Sequence, residues 1–223
     1  MLPAQGFRAL ASRTGQAVPL SLRAMQAPPL PAPEEIALLE PFERIGLDRI
    51  AVVATAADAE LAASALVLAR VWGFDTESRP TFEAGVASEG PHIIQLATLE
   101  AVFLFQLHDA RCREIAGELL ARPDIVKAGF GLRDDKLRIS RKLDVEPQNV
   151  LDLDTVFRQR GYRRQMGIKA AVAVLFGKRY LKSKRAATSN WAHKRLTESQ
   201  LLYAANDAWA ALRVYEALGL TPG

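Results

Sequence analysis

The 223-residue chain contains one cysteine, Cys112, and three scattered histidines, His92, His108 and His193. A lone thiol closes no intramolecular disulfide, and so few soft ligands exclude a zinc module built on Cys and His. Long apolar runs are missing as well. Even the alanine-rich stretch 50–71 is interrupted by Asp58, Glu60 and Arg70, so nothing approaches the roughly 20 apolar residues of a bilayer-spanning helix. A third absence is local: between Thr155 and Thr197 there is no carboxylate, while 12 lysines and arginines fall in that interval. Residues 1–33 also lack acids and carry Arg8, Arg13 and Arg23. The rest holds 14 basic and 25 acidic side chains, so the formal charge of +4 conceals a +12 segment, a +3 arm and a −11 body. Charge separated in this way presents a positive surface to something anionic and is the footprint of a nucleic-acid partner. A solvated basic face on a neutral protein is the plainer alternative.

What is present suits one globular domain, the length being short for two. Residues 1–33 are rich in Ala, Pro, Arg and Ser, and their PPLPAP segment, Pro28 to Pro33, neither continues a helix nor pairs as a central strand. They read as a disordered or dispensable arm. Two other readings exist: translation starting at Met25, and an organelle transit peptide, whose composition is acid-free and Arg-containing. The domain then runs over 34–223. A short amphipathic helix (Ile36, Leu38, Leu39, Phe42) leads to a buried-type strand from Ile50 to Ala54. A helix from Asp58 to Val71 follows, with Leu61, Ala65, Leu68 and Ala69 as its apolar stripe. Three β-like runs come next, Val71 to Glu77, His92 to Ala97 and Val102 to Leu107, and the short link between the last two requires antiparallel pairing. A helix (Arg111 to Ala121), a strand (Ile125 to Gly129), a helix (Asp134 to Leu143) and a short strand at Val150 and Leu151 continue the alternation. Helices fill the remainder, ending with Glu198 to Leu218. This order predicts an α/β fold of the ribonuclease H-like kind, a mixed five-stranded sheet flanked by helices.

Three motifs carry carboxylates. In GFDTES, Asp75 and Glu77 lie two apart on a strand and therefore share a face. Adjacent carboxylates repel unless a proton or cation compensates, which suggests a metal; such pairs also occur on solvent faces. In KAGFGLRDDKLRI the glycines permit a tight strand-to-helix turn. Asp134 and Asp135 suit a helix N-terminus, where capping is the simpler role. A dinucleotide loop fits poorly, because the third glycine is missing and two aspartates stand where a pyrophosphate would bind. In the last helix, Tyr203 and Asp207 are four apart and on one face, with Asp207 out of place in a stripe of Leu, Ala and Val.

Taken in order, GFDTE, KAGFGLRDD and SNWAHKRLTESQLLYAANDA resemble the three exonuclease motifs of the DEDD 3′→5′ exonuclease superfamily in its tyrosine-bearing branch. The likeness covers roughly residues 34 to 218 and is nearest in style to the Werner-type exonuclease domain and the nuclease part of ribonuclease D. PHIIQLATLEAVFLFQL resembles the paired strands after the first motif. The resemblance implies Asp75, Glu77, Asp135 and Asp207 as four acidic ligands for two Mg²⁺ or Mn²⁺ ions, with Asp135 chosen over Asp134 by its distance from Lys127 and Gly129. It implies Tyr203 as the residue that orients and helps deprotonate the attacking water. By the same resemblance Thr76 and Glu77 engage the terminal nucleotide, and a nucleoside 5′-monophosphate leaves from a 3′ end. The basic segment, through Arg163, Arg164, Lys182, Lys184 and Arg185, would track phosphates of a single-stranded or recessed 3′ end, and Tyr162, Tyr180 and Trp191 could stack on bases, core packing being expected of Trp191. Only 16 residues follow Asp207, so the helical domains that follow the nuclease part of ribonuclease D are expected to be absent, as is a helicase. Arg79 is an unexpected cation beside the first motif, placed either to hold a phosphate or to face solvent. An intracellular, cytoplasmic enzyme without membrane attachment is expected, and a catalytically silent nucleic-acid-binding relative is the alternative.

Overall fold

A computed structural model describes residues 29–80 and 89–222; most of the expected N-terminal arm, Met25 included, lies outside them. The strands are β1 (Ile50–Val53), β2 (Val71–Glu77), β3 (Ile93–Ala97), β4 (Val102–Gln106), β5 (Val126–Gly129) and β6 (Val150–Asp152). The helices are α1 (Pro33–Leu38), α2 (Ala56–Leu66), α3 (Ala110–Leu120), α4 (Arg133–Leu143), α5 (Leu153–Gln159), α6 (Ile168–Phe176), α7 (Lys184–Ala187) and α8 (Glu198–Ala217). The strands form one sheet in the order β1-β4-β3-β2-β5-β6. Strands β3 and β4 pair antiparallel, as the short link in the sequence requires, and β2 also pairs antiparallel with β3, whereas β1, β5 and β6 join parallel to their neighbours. The sheet thus has six strands where five were expected: the run at Val150 and Leu151 pairs with β5 and extends the edge.

Each face of the sheet carries its own core. On one, Ile93, Ala97, Val102 and Leu104 pack against α8 and α6. On the other, Phe74, Ile94, Leu96 and Phe105 meet α2 and α3. The alternation of side chains along a strand therefore puts Asp75 and its cross-strand partner Gln95 on the α8 face. The stripe expected on α2 is corrected. Thr55 caps the helix through its side chain and Asp58 returns the bond, so the helix starts at Ala56 and stops at Leu66. Its buried residues are Ala59, Ala62 and Leu66, while Leu61 and Leu68 are exposed. Small alanines let α2 lie close against the sheet, and Leu68 and Ala69 fall past the helix end.

Helix α8 lies directly on β2, and Gly73 makes that approach possible. A Cβ at Gly73 would stand 1.9 Å from the Ala208 carbonyl oxygen, closer than any real contact. The glycine two residues before Asp75 therefore seats the helix next to Asp207. Gly129 does the same for β5, where a Cβ would meet the Phe74 carbonyl oxygen at 2.2 Å.

Candidate active site

Strand β2 and helix α8 bring Asp75, Glu77 and Asp207 together: one carboxylate oxygen of each lies within 4.8 Å of the others. Asp135 arrives from the first turn of α4, whose N-cap is Leu132 with no side-chain bond. Asp135 is thus not spent on capping. It accepts a hydrogen bond from the Thr76 hydroxyl, between the two β2 acids, while Asp134 is exposed. The turn into α4 is held instead by Asp152, which accepts from the Gly131 and Leu132 amides at 3.2 and 3.1 Å.

These acids repel one another in a poorly solvated setting. Burial, then Asp207 and Asp135, push the Asp75 carboxyl well above the usual range. Burial and Asp75 raise Glu77 to about 9. Asp135 is raised by burial against the opposing Thr76 bond. Carboxylates gathered this way are short of positive charge, and an all-oxygen set of this kind fits a hard divalent cation. One cation is already in contact: Lys182 Nζ lies 2.6 Å from Asp207 Oδ2 and 4.9 Å from the Tyr203 ring centroid. The other Asp207 oxygen, Oδ1, accepts from the Tyr180 hydroxyl at 2.6 Å. Burial and Asp207 raise the Tyr203 phenol, against the nearby Lys182 ammonium, which lowers it. Asp75, Lys182 and Asp207 line a cleft of about 370 Å³ whose other walls include Phe130, Met166 and Lys169.

A family model described as 3′-5′ exonuclease matches residues 50–221. The chain belongs to the 3′-5′ exonuclease family. It is 34% identical over 152 residues to the bifunctional 3′-5′ exonuclease/ATP-dependent helicase WRN of Mus musculus, covering 67% of this chain and 11% of that protein. It is 28% identical over 149 residues to a 3′-5′ exonuclease of Arabidopsis thaliana, covering 66% of this chain and 51% of the other. Among solved structures, Trypanosoma brucei RNase D in complex with RNA superposes with a TM-score of 0.67 at 25% identity, covering 76% of this chain and 62% of that one. The Aedes aegypti Nibbler EXO domain gives 0.68 at 23%, over 79% and 89%. The family frame spans every strand and all four acids.

The remaining expected site residues separate into two groups. Arg163, Arg164, Lys184 and Arg185 are exposed, available to an anion. Others in the carboxylate-free segment are engaged internally: Arg158 pairs with Asp154 at 2.8 Å, Arg160 donates to the Leu218 carbonyl, and Arg179 donates to the Ala37 carbonyl at 2.6 Å. Lys182 lies at the acidic centre, paired with Asp207. Tyr180 is buried with its hydroxyl on Asp207, which removes it as a stacking platform, and Trp191 is buried against Tyr203 with ring centroids 5.9 Å apart. Tyr162 packs edge-on against Phe157. Arg79 pairs with Glu89 at 3.2 Å. Sequence reasoning missed the Tyr180 and Lys182 contacts with Asp207. Their one available signal was the spacing, since two positions apart in an extended stretch place both side chains on one side.

Proposed function

We propose that this protein is a metal-dependent 3′→5′ exonuclease that releases nucleoside 5′-monophosphates from single-stranded or recessed 3′ ends. The observation that carries the reading is the convergence of Asp75, Glu77 and Asp207, with Asp135 joined through Thr76, where Asp75 and Asp207 line a cleft. Two divalent ions, Mg²⁺ or Mn²⁺, would be held by these four carboxylates and would supply Lewis acidity to the scissile phosphate and a lowered pKa to the attacking water. The chain's own residues position the reaction. Thr76 and Glu77, at the end of β2, border the place of the terminal nucleotide. Tyr203 would orient the attacking water and help to deprotonate it. Lys169 and the exposed Arg163, Arg164, Lys184 and Arg185 meet upstream phosphates. The functional unit is residues 34–223, with 1–33 dispensable for hydrolysis.

The deciding experiment incubates the protein with 3′-labelled single-stranded and recessed substrates, in DNA and RNA versions, with Mg²⁺, with Mn²⁺ and with chelator. Labelled mononucleotide in the metal lanes is the expected outcome. Binding without release in every lane would instead identify a catalytically silent nucleic-acid-binding relative.

A further inference from the structure

Asp207 is 3% exposed; its Oδ1 accepts a hydrogen bond from the Tyr180 hydroxyl at 2.6 Å, and its Oδ2, which accepts no hydrogen bond, is ion-paired with the Lys182 ammonium at 2.6 Å. For Asp207 to ligate a divalent ion through Oδ2, Lys182 must let go of it. The two residues making these contacts are not equally free to move. Tyr180 is buried, whereas 30% of the Lys182 side chain is exposed. The backbone around them is pinned on both sides: the Phe42 amide donates to the Arg179 carbonyl and the Arg179 amide to the Glu40 carbonyl, at 2.9 and 2.8 Å, and the Ser183 side chain caps α7. Any adjustment therefore falls on the Lys182 stem, four methylenes with rotatable bonds. Lys182 is also in electrostatic contact with the β2 acids, offsetting part of their mutual repulsion. Lys182 lines the cleft into which a substrate phosphate would come.

We infer that Lys182 is an exchangeable counter-ion: it neutralises the acidic centre before metal binds, is displaced from Asp207 by the ion, and transfers to the phosphate of the incoming nucleotide. This rests on the metal-dependent reading above and adds a residue with two successive partners. The metal and the lysine compete for one carboxylate oxygen, and the nucleotide phosphate supplies the anion that the lysine loses. Site assembly is thereby ordered, because metal without nucleotide leaves Lys182 without an anionic partner.

The test is a pair of titrations on the full chain, with Mn²⁺ alone and then with a nucleoside 5′-monophosphate at saturating Mn²⁺, on wild type, Lys182→Met and Lys182→Arg. Methionine keeps an apolar stem over the Tyr203 ring and removes the charge. The expected result is opposite in sign for the two ligands. Lys182→Met binds Mn²⁺ at least about tenfold more tightly, the size of effect a neighbouring charge has on a carboxylate, and binds the mononucleotide more weakly. Lys182→Arg, which keeps the charge, does not tighten Mn²⁺ binding. Weakening of both ligands in Lys182→Met would mark a merely structural residue, and unchanged Mn²⁺ affinity would show that no competition exists; either overturns the inference. Should Lys182→Met not fold, tightened Mn²⁺ binding in Lys182→Arg would overturn it alone. Absence of Mn²⁺ binding by wild type would defeat the metal-dependent reading itself, a result distinct from these.

Discussion

The acidic centre and the carboxylate-free segment are built differently. Asp75, Glu77 and Asp207 stand on a central strand and on the helix packed directly upon it, with Gly73 letting the two backbones touch. Their positions are set by the core, and little in them can relax. The basic segment runs from within α5 through a turn, α6, an extended stretch and the four-residue α7, so its exposed side chains sit on connections and short elements. Some of its charge is consumed in holding the fold, as with Arg158, Arg160 and Arg179. Arg163, Arg164, Lys169, Lys184, Arg185, Lys194 and Arg195 face solvent. Chemistry that needs atoms fixed to a fraction of an ångström is placed on the sheet, and attraction that only needs the right sign is left to the connections. Lys182 is where the two regions meet.

This difference is broken most severely on the acidic side. Asp75→Ala or Asp207→Ala is expected to lower 3′-nucleotide release by at least about a hundredfold, since even an outer partner of a metal site is worth 10–100-fold. Binding of a single strand, measured by fluorescence anisotropy, should survive, because the exposed cations are untouched. Loss of binding in step with loss of activity would mean that the two regions do not divide the work. Tyr203→Phe tests a contact that orients but does not ligate. Its kcat should fall by about 10- to 100-fold with Mn²⁺ affinity preserved, and a variant at full rate would remove Tyr203 from the mechanism.

A smaller effect is expected at Gly73, which shapes the centre without belonging to it. Gly73→Ala forces β2 and α8 apart, and such overpacking typically costs about 1–3 kcal/mol. Chemical denaturation should show that loss, and activity should fall further than stability alone explains, because Asp207 shifts relative to Asp75. A Gly73→Ala protein of wild-type stability would show that the helix has room to move.

Much of this was legible in the sequence, and the exceptions share a cause. The antiparallel pairing of β3 and β4 followed from one short link, and the four acids followed from the resemblance of three ordered motifs to the exonuclease family. Asp135 was chosen over Asp134 by its distance from Lys127 and Gly129, and the Thr76 contact falls on the same residue. The short strand at Val150 and Leu151 was read from the sequence but left out of the five-strand count, because two apolar residues give no sign of which strand they pair with; β5 is that partner. The α2 stripe was misread because leucines outweigh alanines in any count of apolar residues, whereas close packing against the sheet selects the alanines. Tyr180 and Lys182 were assigned to the nucleic acid on composition, since a basic segment gives no sign of which member folds back onto a buried carboxylate 25 or more residues away.

The mildest expected change lies on the basic side and sharpens the contrast most directly. Arg163 and Arg164 are exposed, and among the described residues neither makes an ion pair. Replacing both by serine should leave folding and kcat unchanged and weaken strand binding modestly. The informative quantity is the salt dependence: each lost phosphate contact should flatten the plot of log affinity against log salt by about 0.7 for a single strand. A slope equal to that of wild type would move the strand's path off this turn and onto α7 and the residues around Lys194 and Arg195. A fall in kcat at saturating substrate would contradict the division itself, for these side chains would then be fixing the reacting phosphate and not only attracting its neighbours.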